Sequence, residues 1–171
     1  MTDAAARDPR LHYPDAYLRE ILTETKTVAA VGVSKNPIRP SHYVARYLKT
    51  KRFRVIPINP GYAGEAVLGE TVFPSLAEIP ADRDPIQMVD VFRNSEAAGG
   101  VVDEALEALL DRGLRTIWMQ IGVINFEAAE RAEKKGVRVI MNRCPKIEYQ
   151  RLFGELRMGG FNTGRISSKL R

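Results

Sequence analysis

The chain has 171 residues, of which 44% are hydrophobic and 27% charged, with a net charge of +5 and a single cysteine. This length and composition are typical of one globular domain with a buried core. One cysteine excludes an internal disulfide framework and offers no metal-ligand cluster. No apolar run approaches the ~20 residues that span a bilayer, and no signal-peptide pattern is present, so we expect a cytoplasmic protein without a membrane segment.

The positive charge fits three classes of partner, namely nucleic acid, a membrane surface and a small anionic ligand. The basic residues are scattered, apart from a group at 49–54 and the carboxyl-terminal tail, and they form no nucleic-acid-binding motif. A phosphate-rich small molecule accounts for the charge equally well. We therefore expect a small-molecule nucleotide ligand and no nucleic-acid partner.

The first third of the chain predicts a helix, a strand and a second helix. Residues 1–12, rich in alanine and charge, are predicted to be a flexible leader. Apolar residues recur at helical spacing over 14–25, which predicts an amphipathic helix packed on a sheet; its apolar face is also a candidate surface for a homodimer. Residues 28–31 are uniformly apolar, as in a parallel strand covered on both faces. Ser41 is the predicted N-cap of a helix over 42–49.

The same alternation of strands and helices continues to residue 141. Strands are predicted at 54–58, 67–68, 86–92, 116–119 and 137–141, and helices at 95–110 and 125–132. This pattern indicates an α/β fold, a Rossmann-like, doubly wound and mostly parallel sheet with helices on both faces. It predicts a single domain over 13–158 and a flexible basic tail over 159–171.

The loop after the first strand has the features of a phosphate site. Gly32 lets the backbone approach a ligand without a Cβ in the way. The loop leads into a helix amino terminus, where free N–H groups and the helix dipole favour an anion. The dinucleotide fingerprint has further glycines where Ser34 and Pro37 stand here. Two interpretations therefore stay open, a phosphate-binding loop and an ordinary strand-to-helix turn.

Polar residues follow every predicted strand at its carboxyl end, where open parallel sheets bind their ligands. These strand ends are Gly32-Val33-Ser34, Asn59-Pro60, Phe92-Arg93-Asn94, Gln120-Ile121-Gly122 and Asn142-Arg143-Cys144. A glycine loop, two arginines, amides and a thiol therefore meet at one edge of the sheet. The neutral Asn59, standing where an acid would hold a ribose, counts against NAD.

Several of these residues also have a purely structural interpretation. Asn59-Pro60 can be a simple turn. Gln120 can bond only to a loop carbonyl, and Arg143 can form an ion pair with Glu148. Cys144 is either an inert buried residue or a thiol activated by neighbouring cations.

A series of short motifs, in this order, resembles the bacterial and archaeal CoA-binding protein family. The motifs are GVS…PIRPS, INP, LG, PSL, VDVFR, WMQIGV and MNRCPKIE, and the resemblance runs from Thr27 to Tyr149. That family is similar to a free-standing CoA-binding domain of the succinyl-CoA synthetase α subunit. The resemblance implies that coenzyme A, or an acyl-CoA, lies across the carboxyl edge of the sheet.

The resemblance also implies a set of ligand contacts that runs along the coenzyme. They are Gly32, Val33 and Ser34 for the pyrophosphate, assisted by Lys35 and Arg39; Ile58, Asn59 and Pro60 for the adenosine; Val91, Phe92 and Arg93 for the middle of the ligand; and Gln120 and Gly122 for the pantetheine side. In the synthetase a lysine follows the matching proline and holds the adenosine phosphate. Gly61 and Tyr62 stand there in this chain, and Arg54 or Arg39 is the expected substitute.

The synthetase also carries a second domain with a phosphorylated histidine, and it uses an ATP-binding module. Neither is recognisable in this sequence, so we expect a protein that binds CoA or an acyl-CoA without transforming it. Two alternatives stay open, an acyl-CoA or thioester enzyme in which Cys144 or His42 reacts, and a nicotinamide-nucleotide-binding regulator.

Overall fold

A computed structural model describes residues 7–155 and centres on a parallel sheet. Its strands are β1 (Thr27–Val31), β2 (Arg54–Ile58), β5 (Met88–Val91), β6 (Thr116–Met119) and β7 (Arg138–Ile140), and a short antiparallel pair, β3 (Ala66–Val67) and β4 (Glu70–Thr71), follows β2. The five long strands are all parallel and lie in the order β2-β1-β5-β6-β7. This confirms the predicted sheet.

Within residues 7–155, five α-helices cover the two faces of this sheet. They are α1 (Asp15–Glu24), α2 (Pro40–Thr50), α3 (Ser95–Leu109), α4 (Phe126–Glu133) and α5 (Pro145–Leu152). Helices α1, α2 and α5 enclose one apolar core with Val28 and Ala30, whereas α3 and α4 enclose the other with Ala29. Successive strand residues point to opposite faces, so the uniformly apolar strand β1 feeds both cores. The predicted doubly wound architecture is therefore confirmed.

The chain changes direction in the sheet between β1 and β5. It passes from β1 to β2 on one side and then returns to β5 on the other side of β1. The loops that follow β1 and β5 therefore diverge and leave a crevice between them, which is where such folds bind ligands. The pairing of Val31 with Val91 sets Gly32 beside Phe92 at this point.

Two helices begin at prolines, which the sequence analysis did not predict. Helix α2 starts at Pro40 rather than at residue 42, so the prediction of Ser41 as its N-cap is wrong. Helix α5, which starts at Pro145, was not predicted at all. Proline is favoured in the first helical turn because the N–H that it lacks would have no helical partner there.

Part of the predicted leader packs against the domain. Pro9–Leu11 forms a 3₁₀ turn, the Leu11 side chain is 2% exposed, and the Arg143 Nη2 donates to the Leu11 carbonyl at 3.0 Å. The rest of the leader, residues 1–6, and the predicted tail over 159–171 lie outside the described residues. The boundaries of the predicted domain, 13–158, stay a prediction.

The apolar face of α1 packs against the core of the same chain. Leu18, Ile21 and Leu22 are buried in the core beneath α1, as the predicted packing requires, so this face is not open to a second copy. Over residues 7–155, no helix is long and apolar enough to cross a membrane.

The burial of Leu11 makes a test of the leader possible. Replacing Leu11 with alanine should lower the free energy of unfolding by about 2–5 kcal/mol, because it removes buried methyl groups and leaves a cavity. Urea unfolding measures this loss. Ile38→Ala is the matched control, since that side chain is 80% exposed, and it should change stability by less than about 0.5 kcal/mol. Equal stability of the two variants would show that residues 7–12 do not pack as described.

Candidate functional site

A cleft of about 480 Å³ lies at the carboxyl ends of β1, β5 and β6. The predicted site residues that line it are Gly32, Ser34, Arg39, Phe92, Arg93 and Gln120. Pro40, Ser41, Ile121 and Val123 line it as well and were not predicted as site residues. Part of the convergence expected at this edge therefore forms around the crevice between β1 and β5, whereas Arg143 and Cys144 do not line the cleft.

Gly32 forms the floor of the cleft. Its φ is +93°, and a Cβ at this position would lie 3.0 Å from the Phe92 carbonyl oxygen and 3.2 Å from Arg93 Cδ. The Gly32 N–H donates to the Ile58 carbonyl at 2.8 Å, which ties the turn to β2. Only glycine combines this left-handed backbone with so close an approach to the neighbouring strand.

Side chains from α2 hold the loop after Gly32 in shape. The Ser41 hydroxyl accepts from the Ser34 N–H at 3.0 Å, and His42 Nδ1 donates to the Ser34 carbonyl at 2.9 Å. None of the described residues accepts a hydrogen bond from the backbone N–H of Val33, Lys35 or Ser41. The loop and the first turn of α2 therefore keep free donors of the kind that bind phosphate oxygens.

Asn59 clamps the same loop from the other side. Its Nδ2 donates to the Val33 carbonyl at 2.9 Å, while its Oδ1 accepts from the Gly61 N–H at 2.9 Å and caps the 3₁₀ turn Pro60–Tyr62. Both ends of the amide are engaged within the protein, so the structural interpretation of Asn59-Pro60 as a turn holds. Contact of Asn59 and Pro60 with an adenosine stays a prediction.

The positive charge of the cleft comes from two unpaired arginines. Arg39 and Arg93 form no ion pair with any carboxylate among residues 7–155. Lys35 differs, because its Nζ lies 2.6 Å from Glu65 Oε2 and 4.7 Å from the centre of the Tyr62 ring. Both members of this pair are about half exposed, so the pair is weak and can exchange Glu65 for another anion at little cost.

Arg54 does not take the place of the synthetase's lysine. It begins β2, at the amino end of the sheet, and its Nε donates to Glu70 Oε1 at 3.1 Å. The four residues that follow it in β2 separate it from the carboxyl edge by about 13 Å, at ~3.3 Å per residue. The expectation that Arg54 substitutes for that lysine is therefore wrong, and Arg39 is the remaining candidate.

Besides Lys35, Asn59 and Pro60, four more predicted site residues are absent from the cleft lining. Val33, Ile58 and Val91 bury their side chains in the cores, so any contact with a ligand would use their backbone atoms. Gly122 is held in a turn, where its N–H donates to Asn142 Oδ1 at 2.8 Å and its carbonyl accepts from the Ser95 hydroxyl at 3.3 Å.

Gln120 binds a buried carboxylate rather than a loop carbonyl. Its Nε2 lies 2.8 Å and 3.0 Å from the two carboxylate oxygens of Asp90, which is completely buried in β5. Burial raises the pKa of Asp90 to about 7, although the hydrogen bond from Gln120 lowers it. Asp90 was not predicted, and the available signal was a single acid inside an otherwise apolar strand.

Cys144 and Arg143 take the structural roles that the sequence left open. Cys144 is buried outside the cleft lining, and burial raises the pKa of its thiol, which disfavours the reactive thiolate. The Arg143 guanidinium lies 3.8 Å from the Glu148 carboxylate. In the described part of the chain, no group of three or more His, Cys, Asp or Glu residues is arranged to hold a metal ion.

A parallel, doubly wound sheet with a glycine turn at its switch point defines a Rossmann-like protein. Folds of this class generally bind ligands at this edge of the sheet. A family model described as "CoA binding domain" matches residues 26–150. The chain belongs to this family, which confirms the resemblance found in the motifs.

The chain is also similar to individual proteins in sequence and in structure. The uncharacterized protein YneT of Bacillus subtilis (strain 168) is 37% identical over 134 residues, which are 78% of this chain and 93% of that protein. A hypothetical protein from Pyrococcus horikoshii OT3, of solved structure, is 34% identical with a TM-score of 0.76, covering 90% of this chain and 100% of that one. The dinucleotide-forming acetyl-coenzyme A synthetase 1 of Ca. Korarchaeum cryptofilum shares the fold at 23% identity and a TM-score of 0.55, over 70% of this chain and 26% of its own.

The buried carboxyl of Asp90 predicts an unusual dependence of stability on pH. Because burial raises its pKa from 3.8 to about 7, the folded protein keeps a proton that the unfolded chain releases between these values. The contribution of Asp90 to the free energy of unfolding should therefore fall as pH rises through this range, by up to about 1.4 kcal/mol per pH unit, and level off above about pH 7.

Urea unfolding of the protein and of Asp90→Asn between about pH 5 and about pH 8 isolates this contribution. The difference in stability between the two proteins should shift in favour of the variant as pH rises to about 7 and then level off. Asp111→Asn, which replaces an exposed aspartate, should keep the pH dependence of the unmodified protein. Parallel curves for the protein and Asp90→Asn would mean that Asp90 is ionised throughout.

Proposed function

We propose that this protein binds coenzyme A in the cleft at Gly32 and does not itself transform it. The observation that carries the proposal is the pair of unpaired arginines, Arg39 and Arg93, beside a glycine turn in a chain of the CoA binding domain family. An acyl-CoA is accommodated by the same proposal, because the acyl group extends the pantetheine end only.

The charges of the coenzyme match the groups around the turn. Its phosphates are anions with several acceptor oxygens, and arginine offers them paired N–H donors in a planar fork. Arg39 and Arg93 are free to provide such donors, and Lys35 can join them by leaving Glu65. The backbone N–H groups of the loop add neutral donors, and together these groups support binding of a diphosphate.

The apolar groups of the cleft match the uncharged part of the coenzyme. Phe92, Ile121 and Val123 line the cleft beyond the glycine turn, together with the amide of Gln120. The pantetheine arm combines short aliphatic segments with amide groups, so a mixed apolar and amide surface suits it. We place the pantetheine arm along this side of the cleft.

Binding without catalysis is supported by the absence of an activated nucleophile in the described cleft lining. Cys144 lies outside it, with the pKa of its thiol raised by burial. The hydroxyls of Ser34 and Ser41 accept hydrogen bonds from backbone N–H groups, and neither is bonded to a histidine ring among the described residues. An acyl-transfer enzyme needs a nucleophile beside a base.

We also propose a cytoplasmic protein with a single ligand-binding domain over 13–158 and no nucleic-acid partner. A homodimer stays a prediction, but the apolar face of α1 is buried and cannot be its interface. Native mass spectrometry of the purified protein would count the subunits and show any retained ligand.

Calorimetric titration with coenzyme A, dephospho-CoA and NAD tests the proposed ligand. Coenzyme A should bind most tightly. Arg93→Ala should raise its Kd by about 10-fold to 100-fold, because a charge-assisted hydrogen bond to phosphate contributes about 1.5–3 kcal/mol.

Arg46→Ala is the matched control, since Arg46 is exposed on α2 but outside the cleft lining. It removes the same charge and should change the Kd by less than about 2-fold. Tighter binding of NAD than of coenzyme A, or equal losses in the two arginine variants, would refute the proposed site.

A further inference from the structure

Asp90 is a buried acid that the proposed contacts with coenzyme A do not use. It is 0% exposed, and its strand neighbours in the register are Ala30 and Trp118. Its side chain shares a face with Met88, two residues earlier, and so points into the apolar core beneath α1, α2 and α5. An isolated carboxylate in such surroundings is costly, so its retention needs an explanation.

The one hydrogen-bond partner of the Asp90 carboxyl within residues 7–155 is the side-chain amide of Gln120. The backbone of Gln120 is fixed as well, since its N–H donates to the Val91 carbonyl at 3.3 Å and its carbonyl accepts from the Val123 N–H at 2.9 Å. Gln120 also lines the cleft. A single side chain therefore connects the buried acid to the proposed ligand site.

The chemistry of the pair determines how the amide is turned. An ionised carboxylate only accepts hydrogen bonds, so the NH₂ group of Gln120 must face Asp90. The other end of the amide, Oε1, is then directed away from the acid. Without Asp90, the amide could rotate by half a turn and exchange a donor for an acceptor at the cleft.

We propose that Asp90 is a positioning residue that holds the Gln120 amide with its oxygen presented to the cleft, so that the site selects a ligand with an N–H or O–H donor at this point. Given the proposed function, that donor is an amide N–H of the pantetheine arm. Free phosphate oxygens, which only accept, are disfavoured there and are directed to the arginine side. The pair thus fixes which way the coenzyme lies in the cleft.

The orientation of the Gln120 amide depends on the charge of Asp90. A proton on the carboxyl makes one of its oxygens a donor, and that hydroxyl can pair with Oε1 of Gln120 as readily as the carboxylate pairs with Nε2. Selection of the donor should therefore be strongest above about pH 7, where Asp90 is ionised, and weaker below it.

Other titratable groups occur on the elements packed over this face. They include Asp15 and Glu24 on α1, His42 and Tyr47 on α2, and Cys144, Lys146, Glu148 and Tyr149 at or within α5. The three carboxylates pair with arginines, and His42 Nδ1 donates to the Ser34 carbonyl. The pKa of Cys144, which burial raises most, is raised further by the charge of Asp90, so this thiol titrates well above the acid.

Calorimetry of Asp90→Asn with two ligands tests the proposal. Coenzyme A carries the pantetheine donor, whereas ADP carries a diphosphate without it. At about pH 8, Asp90→Asn should raise the Kd of coenzyme A by about 5-fold to 20-fold, because Asp90 no longer holds the Gln120 amide. The Kd of ADP should change by less than about 2-fold. In the unmodified protein, the ratio of the Kd of ADP to the Kd of coenzyme A should be larger at about pH 8 than at about pH 6. This pH dependence should be smaller in Asp90→Asn. A general loss of structure would instead weaken the binding of both ligands.

A second measurement needs no ligand and separates this proposal from the proposed function. In heteronuclear NMR spectra of the free protein, the side-chain NH₂ resonances of Gln120 should shift with pH around 7, and Asp90→Asn should abolish the shift. If these resonances do not respond to pH, or if Asp90→Asn binds coenzyme A with the affinity and pH profile of the unmodified protein, the proposal is wrong. If they respond but neither coenzyme A nor ADP binds, the proposed function fails while the positioning of Gln120 stands.

Discussion

The close approach of the Gly32 backbone to the Phe92 carbonyl is the contact on which the cleft depends. The two residues follow adjacent parallel strands, at the point where the chain reverses its direction through the sheet. A methyl group on Gly32 would lie 3.0 Å from that carbonyl oxygen, in a backbone conformation that side chains rarely adopt. Any other residue would push the two loops apart and move Arg93 away from the turn.

The other residues of the site either hold the loop after Gly32 in place or line the cleft beside it. Asn59 and Ser41 hold the loop from opposite sides through hydrogen bonds to its backbone. The Arg39 side chain takes no part in holding the loop and forms no ion pair with a carboxylate of residues 7–155, although many of the other arginines are paired. A site for a multiply charged anion needs this separation of tasks, because a cation already neutralised by a fixed carboxylate contributes little to binding.

The sequence predicts the sheet well because its strands are largely apolar and are separated by clear turn residues. It also predicts which loops meet at one edge of the sheet, since topology alone determines where parallel strands end. It does not predict helix α5, whose segment is largely polar and is held by contacts with α1 and α2. Nor does it distinguish a clamp from a ligand contact at Asn59, because the partner, the Val33 carbonyl, is 26 residues away in the chain. The pairing of Asp90 with Gln120, across 30 residues, is hidden for the same reason.

The two faces of the sheet differ in a way that bears on the site. The face beneath α3 and α4 is packed with apolar side chains, whereas the face beneath α1, α2 and α5 contains the carboxyl of Asp90. Replacing a buried polar pair by apolar residues is often neutral or stabilising, so packing alone does not account for the acid. Its position does, because the register places Asp90 one residue before the end of β5, beside Trp118 on β6, and Gln120 follows that strand at the cleft. An acid further back along β5 would be out of reach of Gln120, and an acid beyond the strand end would be solvated and would compete with phosphate for Arg93.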